Sequence, residues 1–168
     1  MVEVLRTLAL PTKGYGEKPK SGTDVLLMAT ARVQAALPPG WAVRAKADVG
    51  GLDDSSHTYP RPDSRLELLR AGQTVATYVV EAQRVLTSGA LLRSINRVLD
   101  QQTTTPPTVD RIRPMLVARY ISSEQQRRLQ ERGIAYADAT GNLCLTSEDP
   151  LILLSDRGAS ADPWRGPG

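Results

Sequence analysis

Two acidic positions flanking a predicted β-hairpin are the residues of this chain best suited to chemistry. Asp63 follows Pro62 just before the first strand, and Glu81 lies near the end of the second strand in the triplet Glu81-Ala82-Gln83. Hard divalent cations such as Mg²⁺ prefer oxygen ligands of this kind. Asp63 and Glu81 are therefore candidate ligands for one Mg²⁺ ion, with Gln83 beside them as an uncharged hydrogen-bonding group.

The hydrophobic pattern predicts the elements that must position these residues. Ser21 or Thr23 can cap a first helix, and the hairpin turns at Ala71-Gly72. Ser122-x-x-Gln125 is a capping box that begins a polar helix. The predicted order is helix 24–37, strand 41–47, strand 66–69, strand 74–82, helix 88–100, strand 115–120, helix 123–132, and strands 134–137, 143–146 and 151–154.

This order favours an α/β or α+β class, with a mixed sheet flanked by helices and a C-terminal β-hairpin extension. At 168 residues the chain is expected to form one domain. Residues 1–22 are predicted to be a flexible lead-in, because 11–22 are rich in Gly, Pro and Lys; a short strand over 2–10 is compatible with the pattern. Residues 23–155 would form the domain, and 156–168 resemble a linker-like tail.

The element order and the two acidic positions resemble the PD-(D/E)XK nuclease superfamily over roughly residues 23–121. The resemblance implies a restriction-endonuclease-like fold in which Asp63 and Glu81 bind Mg²⁺, and the metal activates a water for attack on phosphorus. Gln83 stands where the family usually has lysine, although some active restriction enzymes are similar in having glutamine there. If the domain is active, Asp63, Glu81 and Gln83 would be its catalytic residues.

The register of the hairpin bears on whether the two carboxylates can share a site. A plain two-residue turn at Ala71-Gly72 places Asp63 opposite Val80, so that Asp63 and Glu81 point to opposite faces of the sheet. A shared site requires a three-residue turn, or a bulge near Asp63. The alternative is that Asp63 is a turn residue and Glu81 a surface carboxylate at the end of a strand.

A second resemblance covers residues 114–142, which read PMLVARYISSEQQRRLQERGIAYADATGN. This segment is similar to one found in AbiEi-type antitoxins and related actinobacterial transcriptional regulators. The resemblance implies that a helix-turn-helix DNA-binding region accompanies the domain, with the tail as the linker before it. The matching residues are Leu116, Val117, Ala118, Tyr120, Gly133, Ile134, Tyr136, Asp138, Gly141 and Asn142.

Turn chemistry also explains the end of that segment without any catalytic role. Gly141 can adopt a positive φ, and the side chains of Asp138 and Asn142 can bond to nearby main-chain groups. These three residues are predicted to form a structural turn between two strands.

Arginines near the predicted hairpin are the candidates for nucleic-acid contact. Arg84, Arg93 and Arg97 could share one side of the hairpin and second helix, since 93 and 97 are one helical turn apart. The arginines of the polar helix are diluted by Glu124 and Glu131, which favours a solvated face.

Composition bounds the remaining functions. The net charge of +3 permits nucleic-acid binding without requiring it. The chain has one histidine, His57 in a polar loop, and one cysteine, Cys144 between two leucines. These counts exclude a disulfide framework or a Cys/His zinc site within one chain. A cytoplasmic location without membrane insertion is expected.

Three functions stay open at this point. The first is a nuclease-like regulatory or antitoxin-like protein that acts without catalysis through DNA, a cognate toxin or another protein. The second is an active Mg²⁺-dependent DNA nuclease. The third is a stand-alone protein-interaction domain left from a truncated gene.

Overall fold

The computed structural model describes residues 15–47, 64–104, 112–148 and 151–166, which form three helices and seven strands. The mixed α and β class expected from the sequence is found. The elements are α1 (Gly22–Ala36), β1 (Trp41–Ala47), β2 (Ser64–Arg70), β3 (Gln73–Gln83), α2 (Ser88–Thr104), β4 (Ile112–Ala118), α3 (Ser123–Glu131), β5 (Ala135–Asp138), β6 (Leu143–Glu148) and β7 (Leu151–Asp156).

The seven strands form one mixed sheet in which neighbours along the chain are also neighbours in space. Strands β1 to β3 are antiparallel, β3 to β5 are parallel, and β5 to β7 are antiparallel again. Parallel neighbours need a crossover connection, and α2 and α3 supply the two crossovers. β5 and β6 form the predicted C-terminal hairpin around residues 138–142, and β7 adds a further antiparallel strand beside β6.

The core has two apolar layers, one on each face of the sheet. Side chains alternate along β3, so that Tyr78 and Val80 pack with α1 whereas Val79 packs with α2. Leu91 and Ile95 of α2 pack on the same face as residues of α3. The interior strand β3 therefore lies between α1 and α2, as predicted for the second half of the hairpin.

The helix caps and the hairpin turn predicted from local sequence are found in the structure. Ser21 is the N-cap of α1, with Asp24 completing a capping box, and Ser122 and Gln125 form the box that begins α3. Ala71 and Gly72 both have positive φ, at 50° and 78°, as a type I′ hairpin turn requires.

The hairpin register differs from the one expected for a plain two-residue turn. Leu69 pairs with Thr74, but Leu68 pairs with Ala76, so Val75 is an extra residue that forms a β-bulge. As a result Val80 pairs with Ser64, one residue further along than predicted. The bulge lies near the turn and not near Asp63.

Two element boundaries were predicted incorrectly. α2 continues to Thr104, four residues beyond the predicted end of this helix at residue 100. β4 runs from Ile112 to Ala118, whereas the strand was predicted to begin at Met115. Pro114, which cannot donate a main-chain hydrogen bond, is therefore part of the strand and does not precede it.

Candidate nucleic-acid interface

The predicted site residues of the hairpin lie where parallel strands end. Gln83 of β3 pairs with Ala118 of β4, so both strands finish at the same edge of the sheet. In sheets with parallel strands and flanking helices, ligands bind beyond the carboxyl ends of the strands. A ligand of this domain is therefore expected at this edge of the sheet.

Glu81 is buried and paired with a cation at this edge. Its side chain is 1 % exposed, and its Oε1 accepts hydrogen bonds from Arg97 Nη1 at 2.6 Å and from Gln83 Nε2 at 2.9 Å. Arg97 belongs to α2 and remains 42 % exposed. Two of the predicted catalytic residues and one predicted nucleic-acid-binding arginine thus form a single hydrogen-bonded cluster.

Asp63, the other predicted metal ligand, lies outside the described residues, as does His57. Within the parts of the chain that are described, no group of three or more histidine, cysteine, aspartate or glutamate side chains is arranged to hold a metal ion. The prediction of a shared Asp63–Glu81 site therefore stays a prediction.

A groove at the ends of β3 and β4 is lined by basic residues from three segments of the chain. It has a volume of about 350 Å³, and its described lining includes Lys18 and Lys20 of the lead-in, Arg84 after β3, and Arg119 after β4. Arg84 Nη1 also donates a hydrogen bond to the Lys20 carbonyl oxygen at 3.3 Å. Arg84 therefore both lines the groove and holds the lysine-bearing segment against it.

The three predicted arginines do not have the same surroundings. Arg84 lies in the groove, whereas Arg97 is paired with Glu81. Arg93 is exposed on α2, one helical turn before Arg97. On α3, Arg128 pairs with Glu124 and Arg127 with Glu131, on a largely exposed face as the sequence favoured.

Sequence reasoning missed Lys18, Lys20 and Arg119. The lysines were assigned to a flexible segment, and Arg119 was included in a strand. One signal could have found Arg119: it directly follows an apolar strand that was expected to run parallel to its neighbour, and such strand ends carry ligand-binding residues.

The 138–142 turn forms a buried polar network. Asp138 is 0 % exposed. Its Oδ1 accepts from the main-chain nitrogens of Thr140, Gly141 and Asn142 and from Thr140 Oγ1, and its Oδ2 accepts from Ile121 N and Asn142 Nδ2. Burial raises the pKa of Asp138 above its ordinary value, against the opposing effect of these hydrogen bonds.

The tail is anchored to this turn, which its linker-like composition did not suggest. Ala159 N donates to Thr140 Oγ1 at 3.0 Å, and Gly158 N donates to Asn142 Oδ1 at 2.9 Å. Further along, Trp164 Nε1 donates to the Gly16 carbonyl oxygen at 3.2 Å. Residues 158–164 therefore connect the turn to the segment that carries the groove lysines.

The tail also supplies a carboxylate to the groove arginine. Asp162 Oδ2 accepts a hydrogen bond from Arg119 Nη2, and these two side chains are only 13 % and 11 % exposed. Asp162 Oδ1 accepts from Trp164 N at 3.0 Å. Arg119 Nε is buried and has no hydrogen-bond partner among the residues that the structure describes.

Comparisons of this chain with protein-family models, with curated proteins and with solved structures found no match. Among the described helices, none is both long enough and apolar enough to cross a membrane.

Proposed function

We propose that this chain is a nuclease-like regulatory or antitoxin-like domain that binds the nucleic-acid backbone without cleaving it. The observation that carries the proposal is the groove at the ends of β3 and β4, where Lys18, Lys20, Arg84 and Arg119 gather. Lysine and arginine side chains that meet in a groove attract phosphates without regard to base sequence.

We also propose that the domain has a restriction-endonuclease-like fold. It is supported by the order helix, three-strand antiparallel meander, helix, and a fourth strand parallel to the third. The AbiEi-type resemblance of residues 114–142 supports a regulatory or antitoxin-like role, in which the partner is DNA or a cognate toxin.

The pairing of Glu81 supports binding over catalysis. Arg97 and Gln83 both donate to the same carboxylate oxygen, and the bond from Arg97 is charge-assisted. A metal ion at that oxygen would have to displace the guanidinium, which repels other cations. Gln83 also donates one of its amide hydrogens to Glu81 and carries no charge with which to stabilise a phosphorane-like transition state.

A binding and cleavage assay tests the proposal. Fluorescence anisotropy with a labelled duplex and a labelled single strand should show binding that weakens with salt. Arg84→Ala should reduce the slope of log K against log[salt] by about 1, since it removes one phosphate contact. Arg127→Ala removes an equal charge from the exposed face of α3 and is the matched control. Equal affinities and slopes for the two variants would rule out the groove as the binding surface.

One observation favours the Mg²⁺-dependent nuclease as a second candidate. The bulge at Val75 shifts the hairpin register by one residue, in the direction that a shared Asp63–Glu81 site requires. This candidate predicts strand cleavage that needs Mg²⁺ and disappears in Glu81→Ala. Cleavage with those two properties would replace the non-catalytic proposal, whereas binding without cleavage in Mg²⁺ or in EDTA supports it.

A further inference from the structure

We propose that Arg119 forms a phosphate-binding subsite of the groove, and that Asp162 of the tail occupies this subsite as an intramolecular competitor. The inference rests on the proposed function, since the phosphate would belong to the nucleic-acid backbone. Its ligand chemistry is that of a phosphate group, whether part of a phosphodiester or free in solution.

The hydrogen bonds of Asp162 show that it uses only part of the guanidinium. An arginine fork can donate two parallel hydrogen bonds to a carboxylate or phosphate. Asp162 accepts from Arg119 Nη2 through Oδ2, while its Oδ1 accepts from Trp164 N. Asp162 thus bonds to one edge nitrogen of Arg119 only, and Arg119 Nε has no hydrogen-bond partner among the described residues.

A phosphate group would satisfy Arg119 more completely. It offers several oxygens around one centre, so that one oxygen can face Nη2 and a second can face Nε. Lys18, Lys20 and Arg84 line the same groove and add positive charge around that position. The Asp162 carboxylate thus occupies the position that we assign to a phosphate group.

The tail is anchored on both sides of Asp162, which places this side chain beside Arg119 and leaves it free to rotate. Upstream it is fixed to the 138–142 turn through Gly158 and Ala159, and downstream Trp164 contacts Tyr15 edge-to-face with ring centroids 6.3 Å apart. Asp162 lies between these two anchors. Rotation of this side chain away from Arg119 opens the subsite without requiring that the network at Asp138 break.

The first test removes the competing charge and keeps the shape. Asp162→Asn should bind a labelled duplex about two- to fivefold more tightly than the unaltered chain, as expected from the usual worth of one ion pair. Its slope of log K against log[salt] should steepen by about 0.9, because one more cation becomes available to a phosphate. Asp156→Asn makes the same change of charge at an exposed tail position whose Oδ1 accepts from Arg157 N, and serves as the control.

The second test observes the guanidinium itself. The Nε–Hε resonance of Arg119 can be assigned in a ¹H–¹⁵N spectrum by its loss in Arg119→Lys, which keeps the charge and removes the fork. We expect this resonance in Asp162→Asn to shift on adding the duplex. Inorganic phosphate is the second probe: a shift with phosphate and none with the duplex would overturn the backbone assignment and make free phosphate the ligand.

The outcomes separate this inference from the proposed function. If Asp162→Asn and Asp156→Asn bind alike while Arg84→Ala binds more weakly, the groove binds nucleic acid and the role of Asp162 is refuted. If none of these proteins binds either nucleic acid, both proposals fail together. Thermal unfolding of Arg119→Lys and Asp162→Asn shows whether each variant is folded at the temperature of the assay.

Discussion

Asp138→Asn tests the polar network that joins the end of β5 to the tail. The two carboxylate oxygens of Asp138 accept six hydrogen bonds in a fully buried position. Asparagine keeps the shape but replaces one acceptor oxygen with an NH₂ group, which only donates. The less damaging orientation places that group at the Oδ2 position, where it faces two donors, Ile121 N and Asn142 Nδ2.

The magnitude follows from the number of donors that lose an acceptor. Asn142 Nδ2 keeps the Ala159 carbonyl oxygen at 3.1 Å, whereas Ile121 N is left facing another donor. Each buried donor without an acceptor costs about 1–3 kcal/mol, and both Ile121 N and the new NH₂ group are in that position. Burial raises the pKa of Asp138, so the neutral side chain recovers part of the cost of burying a charge. We expect the free energy of unfolding to fall by about 2–4 kcal/mol.

Urea unfolding at neutral pH, followed by tryptophan fluorescence and circular dichroism, measures this difference. The control is Asp156→Asn, because Asp156 is exposed and an asparagine oxygen can still accept from Arg157 N. A change within about 0.5 kcal/mol is expected for the control. If the two variants had the same urea midpoint, the network would not stabilise the fold and the reasoning above would be refuted.

Two further predictions concern the tail and the sheet. Gly158→Ala places a Cβ atom 2.5 Å from backbone and side-chain atoms of Thr140, so we expect the free energy of unfolding in urea to fall by about 1–3 kcal/mol, as at other overpacked sites. Gly166→Ala is the control and should be neutral, because a Cβ there meets nothing within 4 Å. Equal stability of the two variants would contradict the close approach of Gly158 to Thr140. Burial raises the pKa of Tyr78 to about 12 from 10.0, so its stabilising effect is present below pH 10 and is lost as the pH rises toward 12. Over that interval the unaltered chain should lose about 2–3 kcal/mol more than Tyr78→Phe, and parallel pH profiles of unfolding would show that Tyr78 ionises normally.

Much of the fold could be predicted from the sequence because its signals are local. The capping boxes at Ser21 and Ser122 each involve residues three apart, and the type I′ turn needs only Ala71 and Gly72 to tolerate positive φ. The alternation in 41–47 and the apolar run of β4 likewise depend on a period that the chain shows directly. Element order follows from these signals alone.

The candidate site was predicted only in part, because its geometry depends on partners far apart in the chain. The sequence identified Glu81, Gln83 and Arg97 separately, and the packing of α2 on β3 brought them together as one cluster. Arg84 was expected to contact nucleic acid, but nothing in the sequence indicated that Lys20 would lie beside it.

By itself, then, the sequence determined where helices and strands form and which residues can turn or cap the chain, since those choices are made within a few residues. Tertiary structure alone decided the register of the hairpin, through the bulge at Val75, and the docking of the tail on Thr140 and Arg119. The tail contacts join segments that are remote in the chain, and a small, polar stretch such as 156–166 carries no periodic signal that would predict them. The bulge joins strands that are close in the chain, but the Ala71-Gly72 turn does not fix the pairing beyond Leu69 and Thr74.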